Sequence, residues 1–378
     1  MVRANSANIF LLLYHTIPLL MGAYYGINIT YFFLFYFLFF LGYILGYLLG
    51  IKIKVKKFDI KGLGKSHNLF SCIVLITHLI SLFILNNLIN LDTSPLFYRS
   101  IYFKEPLLIF NNNYLYTFYL SILKPSCFMI LLYFTVKQKF DLIYWVGIIT
   151  CLIDAYISQG RFEILYILFF LIISKRFSFL KLILGLLVFI ALGVFITLGR
   201  RGLILQEYDL NYGDILLHDF GNYFIYGYYF LQRLIITDFF SNNSFFSFSI
   251  FASFSNFFKT FFTSKIGIDF HYQWENINLI LDKGIVFEPT GDLFNAFATN
   301  FAPFYLDFGY LGIVCYSFLI GFIINFKSND HEFRFLKSLA FFIATFGLFQ
   351  PIITYFYGLI FFLVISYILF SNVLFKII

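Results

Sequence analysis

Residues 31–51 read YFFLFYFLFFLGYILGYLLGI, and residues 52–57 follow at once as KIKVKK. An uncharged apolar run of this length suits one helix crossing the hydrocarbon core of a bilayer. The lysines that end it mark a cytoplasmic boundary, because positive charge is held on that face. Lys61 and Lys65 extend the basic run. Within the helix, Gly42, Gly46 and Gly50 recur every four residues. They form one smooth strip on which a second helix can approach closely.

The rest of the chain repeats this pattern. Of its 378 residues 61% are hydrophobic and only 12% charged. A soluble domain carries about twice that charged fraction. The 59 Phe and 29 Tyr reflect a general compositional bias, so no single Phe is assigned a role on abundance. The net charge of +7 does not point to nucleic acid, since Lys and Arg sit mainly in short loops, where they set topology. Cys72, Cys127, Cys151 and Cys315 each lie in an apolar run, none paired at metal-ligand spacing. No metal and no cofactor is expected. The fold class is an all-α polytopic membrane protein of about ten transmembrane helices.

In order, the spans fall near 9–26, 31–51, 69–91, 114–136, 142–157, 162–173, 182–198, 303–326, 338–350 and 353–369. Both termini are then cytoplasmic. A first membrane unit covers 1–199, a long external interval 200–302, and a final membrane unit 303–378. Residues 222–240 and 245–262 are apolar enough to span as well, giving about twelve crossings in all. Re-entrant or interfacial helices are the preferred reading there. The stretch 92–113 reads as an external loop, and 158–161 as a tight external turn.

Candidate chemistry gathers on the external side. Arg161 follows Gly160 at a hairpin tip, where an Arg needs a partner or an anion. Arg200 and Arg201, flanked by Gly199 and Gly202, suit an anion close to the backbone. Arg233 lies in an apolar stretch, and Lys124 lies mid-span beside the helix-kinking Pro125. For Lys124, pairing with Asp154 and phosphate binding both fit. A guanidinium grips a phosphate through two parallel hydrogen bonds. Asp292, Glu288 and His218 are the candidate bases of the interval. Asp307 reads as the start of a span, placed to favour a helix N-terminus. Convergent arginines without a metal motif fit an anionic, partly lipid ligand such as a polyprenyl diphosphate.

The chain resembles the O-antigen polymerase family of oligosaccharide repeat-unit polymerases. Three features carry the resemblance: the span plan with one late external interval, Ser158-Gln159-Gly160-Arg161 opening a span, and the segment from Asn295 to Gly309. That segment holds Asn295, Thr299, Pro303, Tyr305, Asp307 and Gly309, and Gly312 and Gly321 follow. The resemblance implies a metal-independent glycosyltransferase of the bacterial inner membrane. A growing glycan passes from polyprenyl diphosphate to the next lipid-linked repeat unit. The long interval would be periplasmic, and flippase and chain-length regulator proteins are candidate partners. An O-antigen ligase or a lipid-linked oligosaccharide flippase remain the alternatives.

Overall fold

The structure is a computed structural model that describes residues 4–57, 66–91, 95–110, 112–158, 222–237, 249–252, 277, 280, 285–289, 291–294, 299–328, 330–348, 358, 360, 363, 364 and 373–377. The spans read at 162–173 and 182–198, and most of that at 353–369, lie outside the described residues. Helices α1 (Ala4–Tyr14) and α2 (Ile17–Tyr24) make one broken crossing. Pro18 sits in the first turn of α2, where its missing N–H costs nothing. Helix α3 (Thr30–Gly50) is followed by strand β1 (Ile53–Lys57), then α4 (Ser66–Asn90). Four segments among the described residues are long and apolar enough to cross a membrane: 7–24, 30–50, 68–90 and 114–137.

The region read as a loop after α4 is folded. Helices α5 (Pro95–Lys104) and α6 (Leu107–Phe110) bring Tyr98, Tyr102, Ile109 and Phe110 into a small core with Ile84, Leu88 and Tyr119. Helix α7 (Asn113–Phe118) then widens into a π turn at Tyr119–Leu123 before α8 (Lys124–Lys137). Pro125 explains the widening. It donates no hydrogen bond and its ring crowds the carbonyl four residues back, so the turn takes in an extra residue.

Helix α9 (Leu142–Ser158) is built inside out. Leu142, Trp145, Ile149, Leu152 and Tyr156 form an exposed stripe at helical spacing. Its opposite face buries Thr150, Asp154 and Ser158. An exposed apolar stripe over a polar interior is stable against lipid, not water.

Helix α10 (Asn222–Ile236) belongs to the long interval yet packs into the core, burying Phe224 to Leu231 against α2 and α3. A hairpin of β2 (Ile285–Phe287) and β3 (Asp292–Phe294) follows. The span read as one helix over 303–326 is two: α11 (Phe301–Phe308) and α12 (Tyr310–Asn325). Gly309 separates them with φ 59° and ψ −147°, a conformation that side chains other than Gly's hydrogen resist. Helix α13 (His331–Phe346) and strand β4 (Val373–Ile377) complete the described chain.

Helix α12 lies along the glycine strip of α3. Gly42, Gly46 and Gly50 face the main chain of Val314, Phe318 and Phe322, and Gly321 answers from α12 against Tyr43. One end of this pair is pinned by buried amides. Asn8 donates to Asn325 at 3.0 Å and accepts from the Tyr43 hydroxyl at 2.6 Å. The all-helical expectation needs one amendment, two short ribbons. Strand β1 pairs antiparallel with β4, setting Lys54 opposite Lys376, and Lys54 also bridges to Lys327. The basic segments after α3, after α12 and at the C-terminal end therefore share one end of the molecule, as the charge bias requires of segments on one face.

Candidate functional site

Among the described residues, the long interval contributes one cation–carboxylate pair from the candidates. Arg233, on the last turn of α10, meets Glu288 at 2.7 Å between Nη2 and Oε1. Both are accessible, with side-chain exposures of 43% and 62%, so a ligand can reach either. The hairpin places Glu288. Phe287 is fully buried and stands edge-on to Tyr25, Tyr226 and Tyr229, with ring centroids 5.3, 5.3 and 5.0 Å away. That anchor seats the turn beside α10. The turn closes with the Gly291 amide donating to the Phe287 carbonyl at 2.8 Å, Gly291 taking φ 76°. Four-residue hairpin turns commonly end on such a left-handed residue, which Gly adopts without strain. Asp292 stands opposite Phe287 in the register, so Glu288 and Asp292 flank one turn. On the other side, the Arg233 guanidinium lies 5.9 Å from the Tyr229 ring. The pair is thus held by two aromatic side chains rather than by burial.

Motif residues 299–309 have structural partners. The Thr299 hydroxyl accepts the Phe301 amide at 3.1 Å, capping the start of α11. Pro303 occupies the first turn, where an amide is not needed. Tyr305 is half-buried, its ring 5.0 Å from Tyr310. Asp307 is 3% exposed and does not begin a span. It sits near the end of α11, and its two carboxylate oxygens accept the amides of Ser249 and Ile250 at 2.8 and 2.9 Å. It therefore fastens the 249–252 segment of the long interval to the membrane bundle. Gly309 supplies the break described above.

A second polar cluster lies between α4, the π turn and α9. Asp154, 3% exposed, accepts from the Tyr119 hydroxyl at 2.6 Å and from the Ser81 hydroxyl at 3.2 Å. Ser158 donates to the Asp154 carbonyl at 2.7 Å, and His78 meets Thr150 at 2.9 Å nearby in the α4–α9 contact. Lys124 follows the π turn, half-buried and close to Tyr116. Asp154 was legible only as a partner type for a nearby cation, Lys124 or Arg161. Its hydroxyl partners come from separate helices and carry no local signal.

Arg161, Arg200, Arg201, His218 and Asn295 lie outside the described residues. Among those described, Arg233 and Glu288 converge, whereas Lys124 stands at the start of α8 after the π turn, close to Tyr116. Sequence reasoning passed over Asn300, which is 1% exposed. It donates to the Tyr316 hydroxyl at 3.2 Å and the Ile343 carbonyl at 3.1 Å, while its amide donates to Gly347. It also passed over His15 in α1's broken crossing, although an ionisable residue inside an apolar run is itself a signal. No group of three or more His, Cys, Asp or Glu among the described residues is arranged to hold a metal.

Spanning apolar helices with polar side chains turned inward define a helical membrane protein. No family model, curated protein or solved structure matches this chain.

Proposed function

We propose that the protein polymerises lipid-linked oligosaccharide repeat units at the external face of a bacterial inner membrane. The resemblance of the Asn295–Gly309 segment to O-antigen polymerases suggests the reaction. The Arg233–Glu288 pair is the observation that carries it, because it joins a diphosphate-binding candidate to a candidate base. In this reading an incoming polyprenyl diphosphate takes the guanidinium from Glu288 with two charge-assisted hydrogen bonds. The released carboxylate accepts the proton of the acceptor hydroxyl. The acceptor oxygen bonds to the anomeric carbon as the bond to the diphosphate breaks, and the electron pair leaves with the phosphate. Arg233 offsets the charge that develops there, with Arg161, Arg200 and Arg201 as further candidates.

The test is Arg233→Ala in a host that lacks its own polymerase but keeps its flippase and ligase. An accessible ion pair is worth about 0–1 kcal/mol, so the variant should accumulate at nearly the parental level. The expected lipopolysaccharide carries a single repeat unit in place of long chains, seen as collapse of the ladder on a gel. A parental protein that itself restores no ladder in this host would indicate a ligase or a flippase instead. Long chains persisting unchanged would overturn the role of Arg233.

A further inference from the structure

Beneath α10 the core holds polar atoms with no hydrogen-bond partner among the described residues. They are both ring nitrogens of His15, the Tyr228 hydroxyl, the Asn300 Oδ1 and, one turn further along α10, the Gln232 Oε1. These four side chains are between 0% and 5% exposed. Three of them surround one ring. Phe301 has its centroid 5.9 Å from His15 and 5.6 Å from Tyr228, and it follows Asn300 directly in the chain. His15 is stacked on Phe39 at 3.8 Å and lies beside the Ala344 main chain without completing a hydrogen bond to it. Asn300 already spends its amide hydrogens on Tyr316 and Ile343, so its oxygen is an acceptor awaiting a donor. A neutral imidazole offers one donor and one acceptor, and a phenol offers both. Leaving all of these dry is expensive, and native interiors almost always satisfy such groups.

We infer that His15, Tyr228 and Asn300 hold internal water in the bundle core, at the break between α1 and α2. A buried water needs two to four polar partners, and these three residues carry four unpartnered polar atoms around Phe301. Tyr228 and Gln232 are four residues apart on one helix and so share a face. The hydrated site thus continues along α10 toward the turn that carries Arg233. The inference does not depend on the polymerase reading, and it can fail without affecting it.

Two measurements on the purified full chain in detergent micelles decide it. X-ray radiolytic footprinting labels side chains that touch bound water, even where bulk solvent is excluded. Tyr228 and His15 should be modified several-fold faster than the equally buried Phe128 and Tyr144, which lie elsewhere in the core. The Tyr228→Phe variant keeps the ring and deletes only the hydroxyl. If that hydroxyl is bonded to water, the melting temperature falls by about 2 °C; if it is dry, removing it raises stability. Slower labelling equal to that of Phe128 and Tyr144, or an unchanged or raised melting temperature in Tyr228→Phe, overturns the inference. The footprint is taken on the unaltered protein, so it remains decisive should the variant fail to fold.

Discussion

Leucine in place of Gly46 is expected to force α12 off α3 and to cost the fold about 3 kcal/mol, the upper end for an overpacked contact. Even a β-carbon at Gly46 would overlap the main-chain carbonyl of Phe318, with the Phe322 amide next to it. Backbone cannot swing aside as the tip of a side chain can. The two helices would have to separate along their length, and the contacts of Gly42 with Val314 and Gly321 with Tyr43 would open with them. In a bilayer this matters more than in water. Lipid tails are as apolar as leucine, so close packing of small residues is what holds such helices together. The measurement is the unfolding midpoint in mixed micelles on titration with SDS. Leu45 is the control, because it is 47% exposed and lies off the glycine strip of α3. Leu45→Ala should leave the midpoint nearly unchanged, and a Gly46→Leu protein as stable as the parent would refute the packing account.

Asp307→Ala should destabilise by about 3 kcal/mol, for a different reason. The carboxylate is buried and each oxygen accepts one backbone amide from residues 249 and 250. Hydrogen bonds to a charged acceptor are worth about 1.5–3 kcal/mol each, and alanine leaves both amides without their acceptor. Asp307→Asn is the sharper variant. It preserves shape but turns an NH₂ group toward one of the two amides, so its stability should lie nearer to alanine than to the parent. Limited proteolysis should also reach the 249–252 segment faster in both variants. Were Asp307 chemical rather than structural, Asp307→Asn would abolish polymer while the SDS midpoint stayed where it was. A parental midpoint in both variants would contradict the fastening role.

These two residues also show how far local pattern carries. The glycine strip of α3 was legible because small residues every four positions trace one face of a helix. Its occupant was not, since period says where a face lies and nothing about which helix covers it. The break at Gly309 was missed although Asp307-Phe308-Gly309 was in view. Both flanks are apolar, and an apolar run hides a break that only backbone angles reveal. The β1 strand was hidden by its charge. Its lysines dominated the reading, while the alternation of Ile53, Lys54, Val55 and Lys56 is itself a strand signal. Its partner Val373–Ile377 stands at the far end of the chain, beyond any local window.

What the amino-acid sequence determined alone was everything written in composition and period. That comprises the membrane class, the crossings near 9–26, 31–51, 69–91 and 114–136, which the structure places at 7–24, 30–50, 68–90 and 114–137, and the face prepared for a second helix. Tertiary structure decided which distant groups meet. It gave Glu288 to Arg233, a candidate diphosphate cation, turned Asp307 into a fastener for the long interval, and buried α10 in the bundle. The physical reason is one of range. Hydrophobic period acts between neighbours along the chain, whereas an ion pair or a buried carboxylate depends on how helices far apart in sequence pack against each other.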